Sequence, residues 1–250
     1  MTDIFEEVEE QLRSDRYRQL FLKYWPHIAG LAVAALVVAL AFWGYDTYRT
    51  REAAKASEAY AAALDTLQKG DLSGADVQFG EAAKDSPPGY KALALMQQGG
   101  IRLANGDTAG AVKLFDQAAA VAPDKIIGDI ARLKSAFALM DTAPYAAISE
   151  RLQPLQDAKR PYYVAAREAL AMAKLKAGML KQARADFVVL TLLPAATQAV
   201  HERAQLALMA IDGGSASAVP DVVKAAADLP ALPPSPAVLS PQAPQSGADQ

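Results

Sequence analysis

The chain of 250 residues reads as an all-α protein: a single N-terminal transmembrane helix, then a solenoid of stacked helix pairs, then a disordered C-terminal tail. Three observations predict this. Residues 26–45 contain no Asp, Glu, Lys or Arg. A pattern of Gly, Ala and Phe returns every 36 residues beyond them. Ala and Leu dominate the composition while β-branched clusters are few, which favours helix over sheet.

The first 25 residues are a short polar tail. Ile4, Val8 and Leu12 recur every four residues among Glu and Arg, so an amphipathic helix is expected there, either simply solvated or packing on a partner, on its own copy or on headgroups. Acidic charge beside anionic lipid makes headgroups the least favourable of the three.

The apolar run follows at 26–45. At about 1.5 Å per helical residue it matches a hydrocarbon core of roughly 30 Å. Trp25, Trp43 and Tyr45 stand at its ends, where amphipathic rings suit the interface. A cleaved signal peptide would have a basic leader and a shorter apolar core; here Asp3, Glu6, Glu7, Glu9 and Glu10 lie in the leader. A buried core helix rarely stays uncharged for so long. Arg13, Arg16, Arg18 and Lys23 precede the run, and Arg49, Arg51 and Lys55 follow it. Counting cations therefore favours a cytoplasmic N-terminus by a small margin and leaves the topology open. The chain has no Cys, which removes disulfides and thiolate chemistry without locating the protein.

Residues 46–212 form the expected repeat domain. Gly70-Asp71, Ala75, Phe79 and Ala82 recur as Gly106-Asp107, Ala111, Phe115 and Ala118, and Pro87 recurs as Pro123. The next interval reaches Ala147, with Thr142 in the Gly slot and Arg151 in the Phe slot; the one after reaches Gly178, Ala183 and Phe187. A fixed period of this length is the signature of stacked helical repeats. Each slot has a physical reason. Ala75, Ala111, Ala147 and Ala183 sit where the second helix of a pair crosses the first, and a methyl group lets the axes approach. Phe79, Phe115 and Phe187 fill the wedge one turn on. Gly supplies a left-handed turn between the two helices, Asp caps the second helix, and Pro closes it.

The expected helices are 46–69 (continuing the span), 73–84, 90–105, 108–121, 125–139, 145–156, 162–177 and 180–192. Together they make about four pairs. A last helix at 198–211 caps the stack, since a bare end would leave an apolar face wet. From 213 to 250, seven Pro and many Ala and Ser residues offer too little apolar surface to offset ordering entropy, so this tail is expected to be disordered.

The spacing Gly–x4–Ala–x3–Phe–x2–Ala, with Pro five residues later, resembles the second half of a tetratricopeptide repeat, and Gly99 falls at the small-residue position of the first half. The acidic-then-basic tail, one span and divergent repeats together resemble the ancillary SecYEG translocon subunit family (YfgM-like), from Met1 to about Ile211. That resemblance implies a bacterial inner-membrane protein with its N-terminus cytoplasmic and its repeats periplasmic. Its implied partners are the SecYEG translocon and periplasmic chaperones handling exported proteins. The Pro-rich end falls outside the family pattern.

Chemistry is sparse. A net charge of −3 and a pI near 5.5 give no footprint for nucleic acid. His27 and His201 have no second His nearby, no nucleophile elbow, Walker loop or zinc-protease motif occurs, and Asp76, Glu81 and Asp85 read as a solvated outer face. No cofactor, no metal and no catalysis are expected. Binding is expected on the inner face formed by the first helix of each pair. Alignment on the Ala slots places Leu93 and Met96 there in the second pair, Asp129 and Arg132 in the third, and Glu168 and Met172 in the fourth. Met side chains suit adaptable apolar contact, and they equally suit an interhelical core. The predicted function is a membrane-anchored protein–protein interaction scaffold. The alternative is a structural or assembly factor of the cell envelope, acting by self-association as a homo-oligomer or through division or outer-membrane machinery.

Overall fold

The computed structural model describes the backbone of residues 3–227 and the side chains from Tyr24 to Ala225, apart from Pro26 and Ile28. Every regular element among the described residues is helical. The chain divides into two units, 1–54 and 55–250.

In the first unit, helix α1 (Asp3–Gln68) carries the apolar run. From Leu31 to Trp43 its large apolar side chains are exposed, and none of the most apolar window is covered by protein. This helix is long and apolar enough to span a membrane. The expected stripe of Ile4, Val8 and Leu12 lies outside the residues whose side chains are described.

The second unit begins with the end of α1, residues 55–68, which pairs with α2 (Leu72–Lys84). There follow α3 (Pro88–Ala104) with α4 (Thr108–Val121), α5 (Lys125–Ala138) with α6 (Tyr145–Leu152), and α7 (Tyr163–Lys176) with α8 (Leu180–Leu192). Then come α9 (Gln198–Asp212) and α10 (Val219–Ala227). The turns do what their residues dictate. Gly70, Gly106 and Gly178 adopt φ of 85°, 81° and 71°, a left-handed conformation that a Cβ would strain. Asp71 and Asp107 cap α2 and α4, each accepting a backbone N–H three residues on at 2.8 Å. Asp124 does the same for α5, accepting from Ile127.

Packing follows the repeat in three of the four pairs. Ala75, Ala111 and Ala183 are fully buried, and Phe79, Phe115 and Phe187 are the largest fully buried side chains. Gly99 sits under the Phe115 ring; a Cβ there would come within 2.6 Å of it. The third pair departs from the expectation. Ala147 is only half-buried, and Ile148, Leu152 and Leu155 fill the crossing instead, one residue out of phase. Helix α6 is correspondingly short and ends in a single 3-10 turn, Gln153–Leu155, around Pro154, which has no N–H to continue an α-helix.

Two further expectations need correction. Asp76 is not a solvated outer-face acid: Arg102 donates to its carboxylate at 2.7 Å and Gln98 to its backbone carbonyl at 2.9 Å. The helical structure also runs past 213. Ser215–Ala218 makes a 3-10 turn and α10 continues to Ala227, because Ala216 finds a buried place in the last core cluster and Pro220 packs at the α7–α8 turn. Residues 215–227 are therefore helical rather than disordered; the remainder of the expected disordered segment, 228–250, lies outside the described residues.

Candidate functional site

The six residues expected on the inner face separate into three environments. Leu93 and Met96, on α3, belong to the first core cluster, Met96 as a buried member and Leu93 packed against it. Asp129, on α5, is fully buried. Arg160, from the turn before α7, donates to it through Nε at 2.9 Å and through Nη2, and Arg132 Nη1 approaches to 3.6 Å. A carboxylate can only accept, so two cationic neighbours satisfy it and hold α5 beside the start of α7. Glu168, on α7, receives a forked pair from Arg203 of α9, at 2.6 and 2.9 Å. That hydrogen-bonded partner raises the Arg203 pKa further above its usual range. Met172, one turn on from Glu168, is 42% exposed.

Ties between successive first helices define the open part of this face. Lys176 Nζ, at the end of α7, donates to the Met140 carbonyl at 2.8 Å and to the Asp141 carboxylate beyond the end of α5. Met172 stands four residues before Lys176, and Phe137 stands four before Asp141. On the other side, Met172 stands four after Glu168, and Leu206 stands three after Arg203. Residues three or four apart share a helix face. Phe137, Met172 and Leu206 are thus exposed apolar residues on the successive first helices α5, α7 and α9, each three or four positions in sequence from one of these ion pairs. Phe137 is 52% and Leu206 61% exposed. Leu103 near the end of α3, Ile126 at the start of α5 and Met209 near the end of α9 are further exposed apolar residues on these helices.

Sequence reasoning missed Phe137 and Leu206. The signal was present as a second interval: 103, 137, 172 and 206 are 34 or 35 residues apart, whereas the Ala slots repeat at 36. Alignment on the Ala slots carried the phase through the third pair, where the packing slips by one residue. Exposed apolar groups offer contact area and no reaction chemistry. Among the described residues, no three His, Cys, Asp or Glu side chains converge as a metal-binding group. His201 makes a 3.1 Å contact with the Leu193 carbonyl, tying down the α8–α9 turn, and His27 is exposed.

In the first unit, Leu31, Ala34, Ala35, Val38, Ala39 and Phe42 line a shallow apolar groove along α1. Arg49 lies over the Tyr45 ring, 5.9 Å from its centroid.

Helix pairs in phase, small residues at the crossings and exposed apolar side chains on the first helices define a helical-repeat interaction domain. The tetratricopeptide repeat-like domain family matches residues 18–211, and the chain belongs to that family. No curated protein matches it. Among solved structures, the chain is similar to a kinesin light chain candidate from Podosopora anserina with nearly identical TPR-like repeats. For a form of that protein carrying one substitution, the identity is 17%, the TM-score is 0.50, and the match covers 68% of this chain and 93% of that one. A second structure of that protein gives 16% identity and a TM-score of 0.48, over 68% and 94%. At these identities the likeness shows the fold alone. A tetratricopeptide-like repeat domain is a protein–protein interaction scaffold and is typically non-catalytic.

Proposed function

We propose that this protein is a bitopic, membrane-anchored scaffold whose repeats bind other proteins along the Phe137–Met172–Leu206 face. We place it in a bacterial inner membrane, with the N-terminus cytoplasmic and the repeats periplasmic. Its partners in this reading are the SecYEG translocon and periplasmic chaperones that handle exported chains. The supporting observation is that one chain carries both an apolar α1 segment bare of any protein cover and repeats with exposed apolar side chains on their first helices. Arg132, Glu168 and Met172 belong to this face as its charged frame and one of its contact residues, and the fully buried Asp129 anchors that frame from beneath. Leu93 and Met96 contribute by fixing α3 from within. The absence of enzymatic activity is part of the proposal: the face offers area and ion-paired edges in place of convergent polar groups.

Chemical crosslinking in intact cells, followed by identification of the captured proteins, tests the reading. Neighbours from the export machinery and envelope folding factors are expected. Capture of cytosolic proteins alone would overturn the topology. A reporter fused after Gln250 gives the same decision independently, with activity expected only on the periplasmic side.

A further inference from the structure

The three connections that follow the repeat, between α1 and α2, α3 and α4, and α7 and α8, each take three residues; the connection between α5 and α6 takes six. The apolar core divides at the same place. One cluster runs from Ala63 to Ala131 around Phe79 and Phe115, and another runs from Ala171 to Ala216 around Phe187. Between them lies a cluster of Leu, Ile and Ala with no fully buried aromatic ring, centred on Ile148, Leu152 and Leu155.

The Phe slot of this middle pair holds Arg151. Its Nε donates to Ser135 Oγ at 3.0 Å, its Nη2 to the Asp116 carboxylate at 3.0 Å, and its Nη1 to the Ala147 carbonyl at 3.1 Å. Ser135, itself fully buried, donates to the other Asp116 oxygen at 2.6 Å. Opening a Phe wedge wets a large apolar surface. Opening α6 wets the aliphatic Ile148, Leu152 and Leu155 in place of a ring, and it returns the charged and hydroxyl groups of the Arg151 cluster to water, which hydrates them well and offsets much of the lost pairing. Helix α6 has eight residues, too few to hold its shape without tertiary support.

We infer that the α5–α6 pair is the joint of this solenoid: α6 loosens as a local unit, and the blocks 55–138 and 163–227 change their mutual angle across it. Asp129 of the first block pairs with Arg160 just before α7, and Lys176 of the second pairs with Asp141 just after α5; these ties hold the ends of the connecting segment and act as the axis. Phe137 belongs to the first block and Met172 to the second, so bending alters the spacing of the proposed contact residues. That last consequence rests on the proposed function; the joint itself does not.

The chain lacks Cys, so paired cysteines can carry spin labels in the full-length protein in detergent micelles. Exposed positions Ser73 and Lys113 report within the first block, Lys181 and Gln205 within the second, and Lys113 with Lys181 across the joint. The distance distribution across the joint is expected to be at least about twice as wide as either internal one. Equal widths for all three pairs would overturn the inference. Hydrogen exchange on the unlabelled protein provides a second reading. Amides of 145–155 are expected to exchange at least about tenfold faster than those of 108–121 and 180–192, and a common rate for all three would also overturn it. No partner enters either experiment, so failure here leaves the binding reading standing, and the reverse.

Discussion

At the scale of single residues, small side chains set the spacing of the repeat. Ala111 is fully buried at a helix crossing, and Gly99 lies against the Phe115 ring. Ala111→Leu is expected to lower stability by about 1–3 kcal/mol through overpacking, read by urea unfolding of the repeat domain. An unchanged midpoint would remove Ala111 from the crossing. Asp129 behaves differently from the other carboxylates, because its two arginine neighbours meet it in a buried place. Asp129→Ala leaves the largely buried Arg160 guanidinium without its counter-ion, and a loss of about 3–5 kcal/mol is expected. Glu168→Gln, opposite a well-exposed Arg203, should cost less than about 1 kcal/mol. The contrast between the two separates a structural ion pair from a solvated one.

At the scale of helices, most of the architecture was legible in the sequence, and the exception is informative. Gly, Asp, Ala, Phe and Pro each mark a site where backbone sterics or close packing admits few alternatives. Seven helices between 72 and 212 therefore fall within a few residues of expectation, and only α6 ends well short of it. The third pair resisted because Ile, Leu and Arg fill its slots, and aliphatic packing tolerates a one-residue slip that a Phe wedge does not. The binding face was legible only in part: exposure depends on which side of a helix a neighbour covers, and periodicity alone does not report the neighbour. Asp107→Ala, which removes the cap of α4, is expected to cost about 1 kcal/mol in the same unfolding assay. At the other end of the stack, Arg184 donates to both oxygens of Asp212 at the end of α9. That hydrogen-bonded pairing holds the Asp212 carboxyl below its ordinary range. A depressed acid stabilises the fold fully above its unfolded pKa, near 4, and loses that contribution as pH falls through its lower folded value. Protection of the amides at the end of α9, taken relative to their intrinsic exchange rate at each pH, should therefore fall at acid pH, with Asp212→Asn abolishing that part of the response.

At the scale of the whole molecule, the apolar part of α1 and the repeat domain are built on opposite rules. The first leaves its Leu, Val, Phe and Trp side chains outside, which water would penalise and lipid would not. The second hides Phe and Ala at three of its four crossings and aliphatic side chains at the other, and among its exposed apolar groups are Phe137, Met172 and Leu206 on successive first helices. The account stands on those three residues being a contact surface for other proteins. A photo-reactive residue placed at Phe137, Met172 or Leu206, and at the exposed outer positions Val77 and Leu192 for comparison, tests it in intact cells. Discrete adducts with other proteins are expected from the three first-helix positions and not from the outer two. Adducts from Val77 and Leu192 alone, or an identical pattern from all five, would contradict it.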